Sequence, residues 1–179
     1  MPSDKLKSTL HFHFIVFIFG FTAILGKLIS IDAVSLVWYR MVLATAVVAL
    51  FMGISRISFA LSTKQLYIML ICGVLIALHW VFFFHAVKVS NVSVTLSVMS
   101  AGALVTAFVE PIFYKRSFVW YEIVLGLIVV VALGLIMQTE YHYIEGMMFA
   151  FIAILLSVAF TLINGKAIHK SDARVMSVY

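Results

Sequence analysis

The sequence predicts an all-α integral membrane protein, a multi-span bundle of about six transmembrane helices plus the start of a seventh, with a five-helix inverted-repeat architecture. Three observations predict this fold class: the composition, the length of the apolar runs and an internal repeat. Hydrophobic residues make up 65% of the chain and charged residues 11%, whereas a soluble domain carries about 25% charged residues. A chain with so few charges belongs in a lipid bilayer.

Six apolar runs are long enough to cross the hydrocarbon core, which takes about 20 residues of helix. Helices are expected, because lipid offers the backbone no hydrogen-bond partners and the runs are longer than barrel strands. Short connections leave no room for a soluble catalytic domain. The predicted spans cover residues 12–30, 33–53, 66–87, 92–114, 119–138 and 143–164, and a shorter helix starts at Ala173.

The first span, HFHFIVFIFGFTAILGKLIS, follows Lys5 and Lys7, as the apolar part of a signal peptide would. It is longer than that part of a signal peptide and another span follows at once, so a retained helix is predicted. The second span contains Arg40. The third contains Cys72, the one cysteine of the chain, which excludes an intramolecular disulfide and a thiolate metal cluster.

In the fourth span, small and polar residues recur at intervals of three and four, which places them on one face of the helix. Such a stripe is expected to face other helices, either as plain packing or as the lining of a cavity. Gly126 and Gly134 in the fifth span have the same interpretation. The stripe comprises Ser93, Ser97, Ser100, Ala103, Ala107, Glu110 and Tyr114.

Basic residues predict the orientation, because short cytoplasmic loops retain them. With a cytoplasmic N-terminus, nine of the twelve lie inside: Lys5, Lys7, Arg56, Lys64, Lys115, Arg116, Lys166, Lys170 and Arg174. The predicted localisation is a multi-pass protein of the plasma membrane, in bacteria the inner membrane, with a cytoplasmic N-terminus. The net charge of +5 then needs no nucleic-acid partner, since scattered loop charges do not form a basic binding surface.

An internal repeat relates the two ends of the chain. Phe21, Thr22, Ile24, Gly26 and Lys27 match Phe160, Thr161, Ile163, Gly165 and Lys166, and after one inserted residue Asp32, Ala33 and Tyr39 match Asp172, Ala173 and Tyr179. The match places the first span on the sixth, so the repeat unit has five spans. Because five is odd, the second copy enters from the opposite side, as in many secondary transporters.

The repeat sets the expected domains. Residues 1–11 form a cytoplasmic tail, residues 12–140 form the first five-helix repeat, and residues 143–179 begin a second repeat that stops early. We therefore expect the chain to be an incomplete version of one about twice the repeat length. In carriers of this kind, the two halves alternate access to a site near their interface.

The order of features resembles the EamA-type members of the drug/metabolite transporter superfamily. It runs from Gly20 and GKL, through VWYRMVLATAVVAL, to FFFHAVKVSNVSVTLSVMSAGALVTAFVEPIFYKR and GLIVVVALGLI. The resemblance covers residues 12–140 as a whole repeat and 143–179 as the start of the next. It implies a ten-helix carrier with both termini in the cytoplasm that moves amino acids or other small metabolites, usually outward.

Ionisable groups inside spans are costly, so they are the first candidates for the substrate pathway. At about 1.5 Å per residue, Arg40 lies roughly 10 Å below the outer edge and His79 reaches a similar level. Arg40 could instead extend to the membrane surface or bind a backbone carbonyl, and His79 could be a neutral core imidazole. The candidate layer comprises Tyr39, Arg40, His79, Trp80, Ser97 and Ser100, and it suits a carboxylate beside an apolar side chain.

Glu110 lies near the inner end of the fourth span, next to Pro111, and about 12 Å deeper than Arg40. Three roles are open to it. It could be a protonatable coupling group, accept a hydrogen bond from a backbone N–H near the proline kink, or pair with Lys115 or Arg116. The pairing is the favoured interpretation.

Two further classes of function stand beside the leading hypothesis of a secondary active exporter of small metabolites. One is an integral-membrane assembly or scaffold subunit without transport, and the other is a membrane enzyme. The chain contains no Walker loop, nucleotide fingerprint, HExxH or GxSxG motif, so no catalytic residue, metal or cofactor is predicted. A proton or other ion gradient would supply the energy for transport. As to oligomeric state, a homodimer is left open.

Overall fold

The computed structural model describes residues 2–168 and 173–179, which form eight α-helices, one 3₁₀ turn and no strand. The helices are α1 (Pro2–Leu28), α2 (Ala33–Ile54), α3 (Thr63–Val89), α4 (Val92–Ser100), α5 (Gly102–Tyr114), α6 (Trp120–Thr139), α7 (Ile144–Ala167) and α8 (Ala173–Val178). The 3₁₀ turn, Tyr141–Tyr143, leads into α7. Within these residues, six helical segments are long and apolar enough to cross a membrane. The predicted multi-span helical bundle is confirmed.

The boundaries differ from the predicted spans at two starts. Helix α1 begins at Pro2, ten residues before the predicted span, with Asp4 in its first turn, where a carboxylate favours a helix N-terminus. Helix α3 begins at Thr63 because Ser62 and Gln65 form a capping box. The Ser62 hydroxyl accepts from the Gln65 N–H, and the Gln65 amide oxygen accepts from the Ser62 N–H.

The predicted fourth span is two helices, α4 and α5, separated at Ala101. The Ala101 N–H bonds the carbonyl of Val98, three residues back, and the Ser100 hydroxyl donates to the Ser97 carbonyl at 2.6 Å. These bonds replace the regular helical pattern over one turn. The two helices together still form one membrane-length segment, Val92–Tyr114.

Helices α3 and α7 form the antiparallel pair at the centre of the bundle. Near one end, Gly146 of α7 lies against Ala86 and Ser90, and further along the ring of Phe149 contacts Phe82. The face of α7 that packs inward is a helical stripe of mostly small residues, which allows close approach in a membrane. Its buried residues are Gly146, Met147, Ala150, Ala153, Ile154, Val158, Leu162 and Ala167.

Helices α1 and α2 pack on another side of α3 through a second apolar cluster. Gly26 of α1 lies against the buried ring of Phe84, and a side chain at this position would overlap the ring. Asp32 caps α2 by accepting hydrogen bonds from the N–H and the hydroxyl of Ser35. The Ser35 hydroxyl, with help from the backbone N–H, holds the pKa of Asp32 below its ordinary value.

The two copies of the repeated Gly-Lys segment lie at opposite ends of α3. The Lys27 ammonium donates to the carbonyls of Val87, Lys88 and Ser90 at 2.8, 3.1 and 2.8 Å, at the C-terminal end of α3. Lys166 lies beside the N-terminal end of α3, where it shares a cavity with Ser62 and Gln65. The matching Asp172 lies outside the described residues.

Charge divides between the two ends of the bundle in the way that the sequence pattern predicts. The end where α3 begins, which we name the basic end, carries Arg56, Lys64, Lys115, Arg116 and Lys166 together with Glu110 and Glu122. The opposite end carries Lys27 and Lys88 together with Asp32, Glu140 and Glu145. That the basic end faces the cytoplasm stays a prediction from the positive-inside rule.

Candidate functional site

A cavity of about 470 Å³ lies between α2, α3, α7 and α8, and we name it the central cavity. Its volume is within the range of small-molecule sites, roughly 300–1,000 Å³. Its lining runs along α2 from Val37 to Thr45 and along α3 from Met69 to Trp80. Its lining consists of Val37, Arg40, Met41, Ala44, Thr45, Met69, Cys72, Gly73, Ile76, Trp80, Phe160, Asn164, Ile168, Met176, Ser177, Val178 and Tyr179.

Arg40 supplies the positive charge of the central cavity. Its guanidinium carbon lies 4.7 Å from the centre of the Trp80 ring and 4.9 Å from that of Phe84. Both distances are within the range of cation–π attraction, and the two rings belong to the same face of α3. Among the described residues, no carboxylate is within salt-bridge distance of Arg40. The cation is therefore oriented by aromatic rings, with its hydrogen-bonding edges free of an acidic partner.

Uncharged polar groups line the rest of the central cavity. Thr45 contributes a hydroxyl, Asn164 an amide and Cys72 a thiol. Tyr179 closes one side, and its hydroxyl donates to the Phe59 carbonyl at 3.0 Å. Together with Arg40, these groups can bind a small molecule that has an anionic group and other polar atoms, while Val37, Met41 and Ile76 contact its apolar part.

His79 is buried, with 6% of its surface exposed, and it is not part of the cavity lining. Its Nδ1 lies 2.9 Å from the carbonyl oxygen of Ala153 on α7. A carbonyl only accepts, so Nδ1 carries the proton and donates. The imidazole ring also packs against Trp80 and stacks on Phe83. The hydrogen bond to Ala153 links α3 to α7, whereas the two ring contacts are within α3.

The other members of the predicted layer lie away from the central cavity. Tyr39 is 65% exposed on the outer face of α2. Ser97 is half-buried and Ser100 exposed, and the two are joined to each other by the hydrogen bond at the α4–α5 break. The structure thus brings Arg40 and Trp80 together, and it does not place Tyr39, Ser97 or Ser100 beside them.

Glu110 is paired at the basic end. Its carboxylate lies 3.3 Å from the Arg116 guanidinium, which also lies 3.8 Å from Glu122 at the start of α6. Of the three roles open to Glu110, the structure contains the ion pair with a basic neighbour. Arg116 lies in the loop between α5 and α6, and its two contacts link those helices.

Five polar residues of the central cavity were not among the candidates from sequence: Thr45, Cys72, Asn164, Ser177 and Tyr179. Thr45 and Cys72 have small side chains that are common in membrane helices, so neither stands out. Asn164 does carry a usable signal, because an amide inside a span needs a partner and usually faces the protein interior. Within the described part of the chain, no group of three or more His, Cys, Asp or Glu side chains is arranged to hold a metal ion.

A family model described as the EamA-like transporter family matches residues 9–138. The matched segment runs from α1 to α6 and so covers the first five membrane-length segments. No curated protein and no solved structure matches the chain.

Proposed function

The chain belongs to the EamA-like transporter family, and from that premise we propose that it is a secondary active transporter that exports small carboxylate-bearing metabolites such as amino acids. The family consists of membrane transporters rather than enzymes. With six membrane-length segments, the chain is an integral multi-pass membrane protein. Substrate class, direction and mechanism are the parts that we propose.

Arg40 in the wall of the central cavity is the observation that carries the proposal. Placing a charged guanidinium about 10 Å inside a span costs free energy, so such a residue is expected to have a partner or a function. Trp80 and Phe84 attract the charge through their ring faces, but they leave the N–H groups available. A carboxylate can accept two parallel hydrogen bonds from a guanidinium, so a bound carboxylate would complete the site.

The remaining lining suits the rest of an amino acid. Thr45 and Asn164 offer oxygen atoms that accept hydrogen bonds from an ammonium group. Met41 and Ile76 offer an apolar surface for a side chain. The volume of about 470 Å³ holds a small metabolite together with a few waters.

Alternating access between two inverted halves is the proposed mechanism. In support, the repeated Gly-Lys segments lie at opposite ends of α3, as expected when two repeats cross the membrane in opposite directions. We assign residues 12–140 to the first repeat and 143–179 to the start of the second. The basic end faces the cytoplasm, the membrane is the bacterial inner membrane, and an ion gradient drives export.

Counterflow in proteoliposomes tests the proposal. Alternating access needs two inverted repeats, so vesicles that contain the purified protein with both repeats are loaded with one unlabelled amino acid at a time, and uptake of the labelled form is measured. Saturable counterflow is expected for at least one amino acid, with loss in Arg40→Gln. Leu43→Ala is the matched control, since Leu43 is on α2, is 67% exposed and does not line the cavity.

Two results would count against the proposal. Absence of saturable flux for every solute in the unsubstituted protein would favour a non-transporting membrane subunit. Flux that survives Arg40→Gln for a carboxylate solute would remove the assigned role of Arg40, while transport itself would stand.

A further inference from the structure

A second cavity, also of about 470 Å³, lies at the basic end of the bundle. It is bounded by the beginning of α3 and the ends of α5 and α7. We name it the basic-end cavity. It shares only Met69 with the lining of the central cavity, so the two lie on different sides of α3. Its lining consists of Ser62, Lys64, Gln65, Ile68, Met69, Phe113, Ile163, Lys166 and Ala167.

The inner part of the basic-end cavity is apolar. Its side chains come from three helices: Ile68 and Met69 from α3, Phe113 from α5, and Ile163 and Ala167 from α7. Ile68 is five residues into α3, about 8 Å from the start of the helix. By the predicted span limits, the wall lies at the edge of the hydrocarbon core, where the first carbons of lipid acyl chains lie.

Two lysines form the polar rim of the same cavity. Lys64 and Lys166 are both exposed, and among the described residues neither is within salt-bridge distance of a carboxylate. The Lys166 ammonium lies 3.9 Å from the centre of the Phe113 ring and 5.5 Å from that of Tyr114. These rings hold the charge at the cavity rather than leaving it free in solvent.

The position of Lys166 is further fixed by its neighbours. Gly165 leaves room for the Tyr114 hydroxyl, which donates to the Leu162 carbonyl at 2.9 Å. The Tyr114 ring that faces Lys166 is thereby attached to α7 itself. Ser62 and Gln65 complete the rim, where their polar groups form the capping box of α3.

We propose that the basic-end cavity binds an anionic phospholipid, with the headgroup phosphate between Lys64 and Lys166 and one acyl chain against the apolar wall. Charge complementarity selects this occupant. A phosphate beside two ammonium groups is attracted, whereas the positively charged headgroup of a zwitterionic lipid is repelled by them. The apolar wall explains why a lipid binds rather than a free anion, since a free anion would leave that wall uncovered.

The experiment uses the purified protein and two lipids that differ only in headgroup, phosphatidylglycerol and phosphatidylcholine with identical acyl chains. Lipid that stays bound through delipidation is counted by native mass spectrometry, and the thermal unfolding midpoint is measured at rising lipid concentration. Phosphatidylglycerol is expected to be retained and to raise the midpoint. Phosphatidylcholine is expected to do neither.

Substitutions separate a built site from general attraction to a basic surface. Lys64→Gln and Lys166→Gln are each expected to weaken phosphatidylglycerol binding about fivefold, as for one lysine at an anionic membrane surface. Lys166→Arg keeps the charge and should retain binding. Lys115→Gln is the matched control, because Lys115 lies at the same end but outside the cavity lining.

Three results would overturn the proposal. The first is equal retention of the two lipids by the unsubstituted protein, a comparison that does not depend on any variant folding. The second is an effect of Lys115→Gln as large as that of Lys166→Gln, which would indicate surface attraction only. The third is equal stabilisation by inorganic phosphate at the same concentration, which would indicate a site for a free anion.

Discussion

The guanidinium carbon of Arg40 lies 4.7 Å from the centre of the Trp80 ring, so the cation inside the second span has an aromatic partner on α3. This contact joins the two helices that form most of the central cavity. It also orients the guanidinium without neutralising it. Charge and orientation together make Arg40 the first residue to test in solute binding.

The Arg40–Trp80 contact is expected to contribute a coupling free energy of about 1 kcal/mol to folding, within the range of cation–π pairs. A double-mutant cycle with Arg40→Met and Trp80→Leu, followed by unfolding in detergent, measures it. Trp38→Leu replaces Trp80→Leu in the control cycle, because Trp38 is 67% exposed on α2. A coupling free energy between Arg40 and Trp80 no larger than that between Arg40 and Trp38 would contradict the assigned contact.

His79 is expected to act in helix packing. Its replacement by Leu removes the hydrogen bond to Ala153 and should lower the free energy of unfolding by about 1 kcal/mol, near the upper range for such bonds between membrane helices. Solute affinity should not change, because His79 does not line the central cavity. If affinity falls while stability is unchanged, His79 belongs to the substrate pathway instead.

Two glycines on α1 provide a matched pair. A Cβ on Gly26 would overlap the Phe84 ring, whereas one on Gly20 would have no neighbour within 4 Å. Gly26→Ala should therefore cost about 1–3 kcal/mol of stability through overpacking. Gly20→Ala should be neutral or should stabilise by up to about 1 kcal/mol through helix propensity. Thermal unfolding midpoints in one detergent compare them, and equal midpoints would refute the close packing of α1 on Phe84.

The Lys27 ammonium is expected to fasten α1 to the end of α3. Lys27→Met removes three hydrogen bonds to helix-terminal carbonyls and should destabilise the protein by about 1.5–3 kcal/mol. Lys88→Met removes one bond, to the Ile29 carbonyl, and should cost less. Chemical unfolding of both variants measures the difference, and the reverse order of stability would be inconsistent with this arrangement.

Hydropathy was sufficient to predict the six membrane segments, because transfer into lipid acts on each stretch of chain separately. The break at Ala101 was not predictable in this way. The break depends on the hydrogen bonds that the Ser100 hydroxyl and the Ala101 N–H make. The hydropathy of the segment is the same for an uninterrupted helix.

Counting residues from the end of a span predicts which residues lie at the same depth in the membrane. It does not predict the direction in which each side chain points. Arg40 and Trp80 share both a level and a cavity. His79 shares the level and faces α7 instead. Asn164 reaches the cavity through the packing of α7 beside α3, a contact between residues distant in sequence that local patterns do not contain.

Cys72 offers the most direct test of whether a small solute binds in the central cavity. It is the one cysteine of the chain, it lines that cavity, and it is 4% exposed. The rate of its alkylation by N-ethylmaleimide is measured with and without a transported amino acid, and Cys72→Ala gives the background. Saturable protection of Cys72 from alkylation is expected, and Arg40→Gln should abolish it. An unchanged rate at saturating concentrations of a solute that the protein transports would contradict binding in this cavity.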